Sequence, residues 1–206
     1  IYRGTDECSL LKRIYNGAST IKDSKKNKRI VWITEMINYK AIKLIVLDVD
    51  GTLTDGSVYI GTEGEEFKKF NIKDGLAIHL LAENQMEFMI LTGRKSESVA
   101  VRAKELKIQH VHQGISDKYG FLKQFMNEKQ LNRENVAYIG DDLNDFKVMK
   151  LAGFTAAPQN AAKEIIESVD FVAKSTGGHG AVREILEYLM TERGEWGKMI
   201  EKVYDR

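Results

Sequence analysis

From residue 43 onward the sequence predicts an α/β fold, a doubly wound, Rossmann-like and mostly parallel sheet with helices on both faces. The first observation is an alternation of short apolar runs with segments of helical periodicity. The second is the run Lys43 to Leu47, whose Ile, Val and Leu residues are typical of a strand buried on both faces. The third is that acidic residues directly follow such runs, at the sheet edge where folds of this kind bind ligands.

Strands and helices are expected in alternation, joined by right-handed crossovers. The predicted strands are Lys43 to Leu47, Glu87 to Leu91, Gln109 to His112, Val136 to Ile139, Phe154 to Ala156 and Phe171 to Ala173. The predicted helices are Asp74 to Glu83, Ser96 to Leu106, Asp117 to Gln130, Asp142 to Leu151, Ala161 to Ser168 and Gly180 to Thr191. Ser96 and Asp117 are suitable N-caps, because their side-chain oxygens can accept a backbone N–H of the first turn.

One segment after the first strand interrupts this alternation. Ser57 to Ile60 and Glu65 to Phe70 read as two strands around a glycine-containing turn. The resulting β-hairpin is too small to be a cap domain. Isolated hairpins are marginal in water, so we expect it to act as a lid or to pair with another subunit.

The composition excludes several classes of function. Lys and Arg number 31 and Asp and Glu 30, so no overall basic field favours nucleic acid as a partner. Cys8 is the single cysteine, which excludes an intrachain disulfide and a cysteine metal cluster. No apolar stretch approaches the roughly 18 residues of a membrane span, so no membrane association is expected. These features fit a protein of the reducing cytoplasm.

The length of 206 residues predicts one domain with extensions. We expect the folded domain over residues 41–193. Residues 1–40 contain the basic run Ser24 to Arg29 and are interpreted as an extension or linker that need not be native or fully ordered. Met36 is the hypothetical native start, and residues 194–206 are interpreted as a C-terminal tail.

Chemically useful residues follow the ends of several predicted strands. Asp48 and Asp50 follow the first strand, and Thr92 begins a Thr-Gly-Arg segment after the second. Lys118 lies near the start of a helix, and Asp141 belongs to a strongly acidic segment after a later strand. Because the carboxyl ends of parallel strands share one edge of the sheet, we expect these side chains to converge.

This set of residue types suits phosphoryl transfer. One carboxylate can attack phosphorus, and a second can protonate the leaving alkoxide and later deprotonate water. Hydroxyl and ammonium groups can hold the phosphoryl oxygens. Crowded carboxylates repel one another unless a cation compensates them, and Mg²⁺ prefers oxygen ligands. The sequence therefore predicts a magnesium-dependent site for a phosphate ester.

The motifs carry a resemblance to a known superfamily. Over about residues 42–190 the chain resembles the haloacid dehalogenase superfamily of phosphatases, through Asp48-Val49-Asp50-Gly51-Thr52-Leu53-Thr54, Thr92, Lys118 and Gly140-Asp141-Asp142. It is similar, more narrowly, to the 3-deoxy-D-manno-octulosonate 8-phosphate phosphatases, through Thr54-Asp55-Gly56, the segment Gly64 to Asn71, Lys73-Asp74-Gly75 and the segment Gly177 to Glu184.

The narrower resemblance implies a capless, Mg²⁺-dependent phosphatase that hydrolyses a sugar-acid phosphate in lipopolysaccharide biosynthesis. It also implies a homotetramer formed through the hairpin. The active sites would be shared between subunits and closed partly by a neighbour's glycine-rich C-terminal segment.

The resemblance also implies residue roles. Asp48 would be the nucleophile and Asp50 the general acid/base, with Thr92 and Lys118 completing the catalytic set. The Mg²⁺ ligands would be the side chains of Asp48 and Asp141 and the backbone carbonyl of Asp50. Asp145 would orient Lys118. The implied substrate-binding residues are Asn71, Lys73, Asp74, Gly75, Gly93, Arg94 and Arg102.

Two alternatives stay open at this stage. Phosphatases for sialic-type 9-phosphates share the framework, but they tend to carry Glu at the position of Arg94 and Lys at that of Glu105. The same fold also occurs as an oligomerisation module behind sialic acid cytidylyltransferases, which would not need an intact acidic cluster. His79 and His179 stand where related proteins carry arginine, so their roles are open.

Overall fold

The computed structural model describes residues 36–204 of the chain. A parallel sheet of six strands in the order β5-β4-β1-β6-β7-β8 forms its centre, and β2 and β3 form a separate two-stranded sheet. The strands are β1 (Leu44–Leu47), β2 (Tyr59–Ile60), β3 (Glu66–Phe67), β4 (Glu87–Thr92), β5 (His110–Gln113), β6 (Val136–Ile139), β7 (Phe154–Ala157) and β8 (Phe171–Val172). The predicted doubly wound α/β class is confirmed.

Helices connect the strands. They are α1 (Ile72–Glu83), α2 (Glu97–Glu105), α3 (Lys118–Glu128), α4 (Leu143–Phe146), α5 (Lys163–Ile166), α6 (Ala181–Glu192) and α7 (Trp196–Tyr204). Short 3-10 turns occur at Tyr39–Ala41, Arg133–Asn135 and Val148–Leu151.

The central strand β1 is buried on both faces, as its composition predicts. Successive side chains of a strand point to opposite faces, so Leu44 and Val46 share one face and Ile45 and Leu47 the other. On the first face Leu44 and Val46 belong to an apolar cluster with Leu122 of α3. All four strand residues are at most 1% exposed. The strand therefore fixes the position of the acidic residues that follow it.

Two helices differ clearly from their predictions, and so does one predicted N-cap. Helix α1 begins before Asp74, because the Asn71 side chain caps it by accepting the N–H of Lys73 at 2.8 Å. The single helix predicted over Asp142 to Leu151 is instead α4 followed by a 3-10 turn, whose tighter winding directs Val148 and Met149 into the core. Asp117 caps α3 as predicted, whereas the Ser96 side chain makes no capping hydrogen bond.

The predicted hairpin is present but its paired part is short. Tyr59 pairs with Phe67, and an isolated bridge joins Thr54 to Phe70 at its base. Its apolar side chains Val58, Ile60 and Phe67 are 49%, 72% and 57% exposed. Exposing several apolar side chains to water is unfavourable, and such a group is typical of a contact surface.

The compact unit begins at Asn38, and most of the predicted extension over residues 1–40 lies outside the described residues. The predicted tail contains α7, where Met199 is buried. Within residues 36–204 we find no helix with the length and apolar character needed to cross a membrane.

Candidate active site

A buried lysine lies between two carboxylates at the carboxyl edge of the sheet. Asp48 follows β1 directly, and its Oδ1 is 2.9 Å from Nζ of Lys118, the first residue of α3. The same Nζ donates to Oδ1 of Asp145 at 2.8 Å, so the predicted contact between Lys118 and Asp145 is present. All three side chains are at most 5% exposed. Burial opposes the ammonium charge, but Asp48 and Asp145 outweigh it and raise the pKa of Lys118.

Asp145 is a fully engaged carboxylate. Besides Lys118, its Oδ1 accepts the hydroxyl of Tyr138 at 2.7 Å, and its Oδ2 accepts the N–H of Asp141 at 3.2 Å. Burial and the charge of Asp145 raise the pKa of Tyr138 well above its usual value, so its hydroxyl remains a donor. These bonds tie β6 and α4 to the lysine. Asp145 therefore positions Lys118 instead of offering a free oxygen to a ligand.

Asp141 faces Asp48 from the loop after β6. Its Oδ1 accepts the hydroxyl of the fully buried Thr52 at 2.9 Å. Gly51 makes this approach possible, because a Cβ at Gly51 would lie 2.0 Å from Oδ2 of Asp141. The φ of +89° at Gly51 also belongs to the left-handed region, which glycine adopts without strain. The first acidic loop thus both presents Asp48 and orients Asp141.

The carboxylates of Asp48, Asp141 and Asp145 form a cluster suited to a hard cation. One oxygen of each lies within 4.8 Å of the other two. Burial first, and the charge of Asp145 second, raise the pKa of Asp48 to about 7. Burial, with the charges of Asp145 and Asp142, also raises the pKa of Asp141 to about 7. Two carboxyl groups that resist ionisation at neutral pH fit a site completed by a divalent cation.

We expect Asp48 and Asp141, rather than Asp145, to hold Mg²⁺, and this assignment stays a prediction. Asp145 is bound by Lys118, Tyr138 and the Asp141 backbone. The predicted contribution of the Asp50 carbonyl stays a prediction.

Thr92 and Gly93 lie at the end of β4, beside β1 in the sheet. The Thr92 side chain is buried, and its hydroxyl lies 3.5 Å from the N–H of Arg94. Gly93 is exposed, and a Cβ there would meet no atom closer than 3.9 Å. This places a hydroxyl and an accessible backbone at the same sheet edge as Asp48.

Asp50 lies in a ring of alternating charges that the hairpin completes. Its Oδ1 accepts a hydrogen bond from Nζ of Lys68, and its Oδ2 is 3.8 Å from Nε of Arg94. Glu66 closes the ring, with Oε1 at 3.1 Å from Nζ of Lys68 and Oε2 bound to Nη2 of Arg94. The ring joins the acidic loop, the hairpin and the loop after β4.

A glycine-rich loop before α6 packs against the acidic loop of the same chain. The N–H of Gly178 donates to the carbonyl of Thr52 at 3.2 Å. A Cβ at Gly177 would lie 1.7 Å from the carbonyl oxygen of Gly51, so only glycine fits there. Gly177 and Gly178 thus contact the chain's own catalytic loop. Closure of the site by a neighbouring subunit's glycine-rich segment, which the resemblance implied, stays a prediction.

Most predicted substrate residues around α1 have structural contacts. Asn71, besides capping α1, donates from Nδ2 to the carbonyl of Gly178 at 3.4 Å. Asp74 is buried, and its Oδ1 accepts the N–H of Arg183 at 2.7 Å in the first turn of α6. Lys73 is exposed. Asn71 and Asp74 therefore fasten α1 to the glycine-rich loop and to α6.

Gly75 and Arg102 are in contact with each other. A Cβ at Gly75 would lie 2.1 Å from Nη2 of Arg102, whose Nη1 donates to Oε2 of Glu105 at 2.8 Å. Substrate binding by this region stays a prediction.

The two histidines with open roles occupy different settings. His79 lies on α1, and its Nε2 is 3.2 Å from Oε1 of Glu83 on the same helix. His179 lies in the glycine-rich loop, with Nδ1 at 2.9 Å from the carbonyl of Gly177 and Nε2 at 3.2 Å from Nζ of Lys69. His179 thus links the glycine-rich loop to the hairpin.

Three residues of the site were not singled out from the sequence. Thr52, Tyr138 and Lys68 hold Asp141, Asp145 and Asp50 respectively. A tyrosine in an otherwise apolar strand was a usable signal, since a buried hydroxyl needs a partner. Lys68 gave no local signal, because its contact depends on how the hairpin folds back.

Comparison with known proteins agrees with this geometry. A profile of the haloacid dehalogenase-like hydrolases matches residues 110–185. A 3-deoxy-D-manno-octulosonate 8-phosphate phosphatase of Escherichia coli (strain B / BL21-DE3) is 40% identical over 160 residues, which cover 78% of this chain and 85% of the relative.

Solved structures give the same picture. A phosphatase of that name from Moraxella catarrhalis, in complex with magnesium ion, phosphate ion and a KDO molecule, aligns with a TM-score of 0.77 and 38% identity, covering 80% of this chain and 95% of the other. The Yersinia pestis phosphatase of that name aligns with a TM-score of 0.74 and 36% identity, covering 77% of this chain and 86% of the other.

Proposed function

The chain belongs to the haloacid dehalogenase-like hydrolases, within the family of 3-deoxy-D-manno-octulosonate 8-phosphate phosphatases, and from this we propose that it hydrolyses that sugar-acid phosphate with Mg²⁺. The products are the free sugar acid and inorganic phosphate. The observation that carries the proposal is the buried Lys118 between Asp48 and Asp145, beside Asp141 at the sheet edge. Assembly alone would not require this costly cluster of charges.

In the first step an oxygen of Asp48 attacks phosphorus. A P–O bond to Asp48 forms while the P–O bond to the sugar breaks, giving an aspartyl-phosphate and the sugar alkoxide. The alkoxide takes a proton from Asp50. Lys118 holds Asp48 in position and balances negative charge as the phosphoryl group arrives.

In the second step water cleaves the aspartyl-phosphate. The Asp50 carboxylate removes a proton from water, whose oxygen forms a new bond to phosphorus while the bond to Asp48 breaks. Phosphate leaves, and Asp48 and Asp50 regain their starting forms. Mg²⁺ bound by Asp48 and Asp141 would neutralise the phosphate charge and allow both carboxylates to ionise.

A steady-state assay of phosphate release tests the proposal. We expect turnover of 3-deoxy-D-manno-octulosonate 8-phosphate only with Mg²⁺, and a loss of about 10³-fold or more for Asp48→Asn. Full activity of Asp48→Asn would reject the nucleophile. A preference for a sialic-type 9-phosphate would overturn the substrate but keep the chemistry.

We further propose a homotetramer in the cytoplasm, with active sites shared between subunits. The exposed apolar side chains of the hairpin support the assembly. The same hairpin supplies Lys68 to the Asp50 ring, so a subunit that packs on the hairpin would lie beside the active site. A stable monomer by sedimentation would reject it. The charged substrate and the single cysteine support the compartment, which cell fractionation tests.

A further inference from the structure

The two cations that flank Asp50 differ in their freedom to move. The side chain of Lys68 is 2% exposed, and its Nζ contacts both Asp50 and Glu66. The side chain of Arg94 is 50% exposed, and its Nε lies 3.8 Å from the farther oxygen of Asp50. The buried Lys68 side chain is therefore confined within the ring, whereas the half-exposed Arg94 can swing toward solvent.

Each oxygen of Asp50 faces one of these cations. Oδ1 accepts a hydrogen bond from Lys68, and Oδ2 faces Arg94. A charge-assisted bond from a buried donor fixes the carboxylate plane, so the direction of Oδ2 is fixed too. A general acid/base must present one oxygen within hydrogen-bond reach of the reacting oxygen.

Contacts hold both Lys68 and the end of the hairpin that carries it. The Nζ of Lys68 forms an ion pair at 3.1 Å with Oε1 of Glu66, two residues earlier on the hairpin, and Glu66 also binds Arg94. The hydroxyl of Ser98 in α2 lies 3.3 Å from the carbonyl of Glu66, which ties this end of the hairpin to the main domain. The ring is thus part of the folded hairpin and not a chance surface contact.

We propose that Lys68 is a positioning residue for Asp50: it anchors Oδ1 so that Oδ2 carries the proton to the leaving alkoxide and then accepts one from water. The inference rests on the proposed function, because it assigns a role within the same two-step hydrolysis. Arg94 turns away from Oδ2 when an anionic substrate enters, which opens this oxygen for proton transfer. Lys68 has no contact with the substrate in this scheme.

The test compares Lys68→Met with a matched control on the same hairpin. Lys69→Met removes an equal charge from a side chain that is 54% exposed. On the sugar-acid phosphate we expect Lys68→Met to lower kcat about 100-fold with KM changed less than about threefold. Lys69→Met should stay within about threefold of the parent protein, and the folded state of each variant is checked by circular dichroism.

A double-mutant cycle separates positioning from a structural role. If Lys68 acts through Asp50, then Lys68→Met made in the Asp50→Asn background should lower kcat by less than about threefold. An equal loss in both backgrounds would overturn the proposal. An undiminished kcat of Lys68→Met in the parent background would overturn it as well.

An activated ester makes the inference testable apart from the sugar substrate. p-Nitrophenolate leaves without a proton, so with p-nitrophenyl phosphate only the second step needs Asp50. Lys68→Met should keep a burst of about one equivalent of p-nitrophenolate per enzyme, followed by steady turnover about 100-fold slower than that of the parent. If the parent protein is inactive on the sugar-acid phosphate while Lys68→Met shows this pattern on p-nitrophenyl phosphate, the proposed substrate is rejected and the role of Lys68 is kept. Loss of the burst together with the steady rate would reject that role.

Discussion

The raised pKa values of Asp48 and Asp141 predict that the Mg²⁺-free protein loses stability as the pH rises. The pKa of each carboxyl is about 7 in the folded state, against an ordinary value of 3.8. The folded state therefore binds more protons than the unfolded state between these values, and the free energy of unfolding falls with pH in that window. The stabilisation is fully present below the lower value and is lost once pH passes the upper one.

The size of the effect follows from the same values. For one carboxyl, the free energy of unfolding should fall by about 2–3 kcal/mol between pH 5 and pH 8. The two carboxyls act in the same direction, so the fall for the pair should exceed that for one of them. Mg²⁺ binds the ionised forms, so its stabilising effect should be larger at pH 8 than at pH 5.

Urea unfolding in the presence of a chelator measures this. The comparison is between the parent protein and Asp141→Asn, whose free energy of unfolding should change with pH by about 2–3 kcal/mol less. Burial lowers the pKa of His112, which works in the opposite direction over part of this range but is common to both proteins. Equal pH dependence of the two proteins would refute the reasoning.

Three further predictions concern the Tyr138 hydroxyl, the glycine-rich loop and the hairpin. Tyr138→Phe removes a donor at 2.7 Å from the buried Asp145, so we expect the free energy of unfolding in urea to fall by about 1.5–3 kcal/mol and kcat to fall as well. An unchanged unfolding midpoint would contradict this. Gly177→Ala places a Cβ 1.7 Å from a backbone oxygen and should cost about 3 kcal/mol or more by thermal melting, whereas Gly197→Ala, a helix position with open space, should gain up to about 1 kcal/mol. Ile60→Lys combined with Phe67→Lys should reduce the sedimentation coefficient by disrupting a hairpin interface, with the single change Lys69→Met as the control.

The sequence predicted the parts of the fold that depend on local pattern. The predicted bounds of the strand Val136 to Ile139 match the structure at both ends, because a short apolar run of strand-forming residues ends at a glycine. The helix expected over Asp142 to Leu151 was wrong in its continuity, since the break at Lys147 depends on packing of Val148 and Met149 that no local pattern records. Helix α1 began earlier than expected because the capping role of Asn71 was overlooked.

The candidate site divides in the same way. Residues at strand ends, such as Asp48 and Asp141, were predictable because topology alone brings them to one edge. The contact of Lys68 with Asp50 was not, because it joins residues 18 apart through a hairpin whose path the sequence does not specify. Asp74 was expected near substrate, and its bond to the backbone of Arg183 depends on the docking of two helices distant in sequence.

The packing of Gly177 and Gly178 on the catalytic loop also sets the order in which the protein becomes active during synthesis. Asp48 emerges from the ribosome early, but the loop that carries it is completed by a segment about 125 residues later in the chain. At about 5–20 residues per second, this leaves an interval of many seconds in which the acidic loop exists without its support. We therefore expect a nascent chain to hydrolyse phosphate esters only after β8 and the glycine-rich loop have been made. Truncation before Gly177 should remove activity even though every catalytic side chain would still be present.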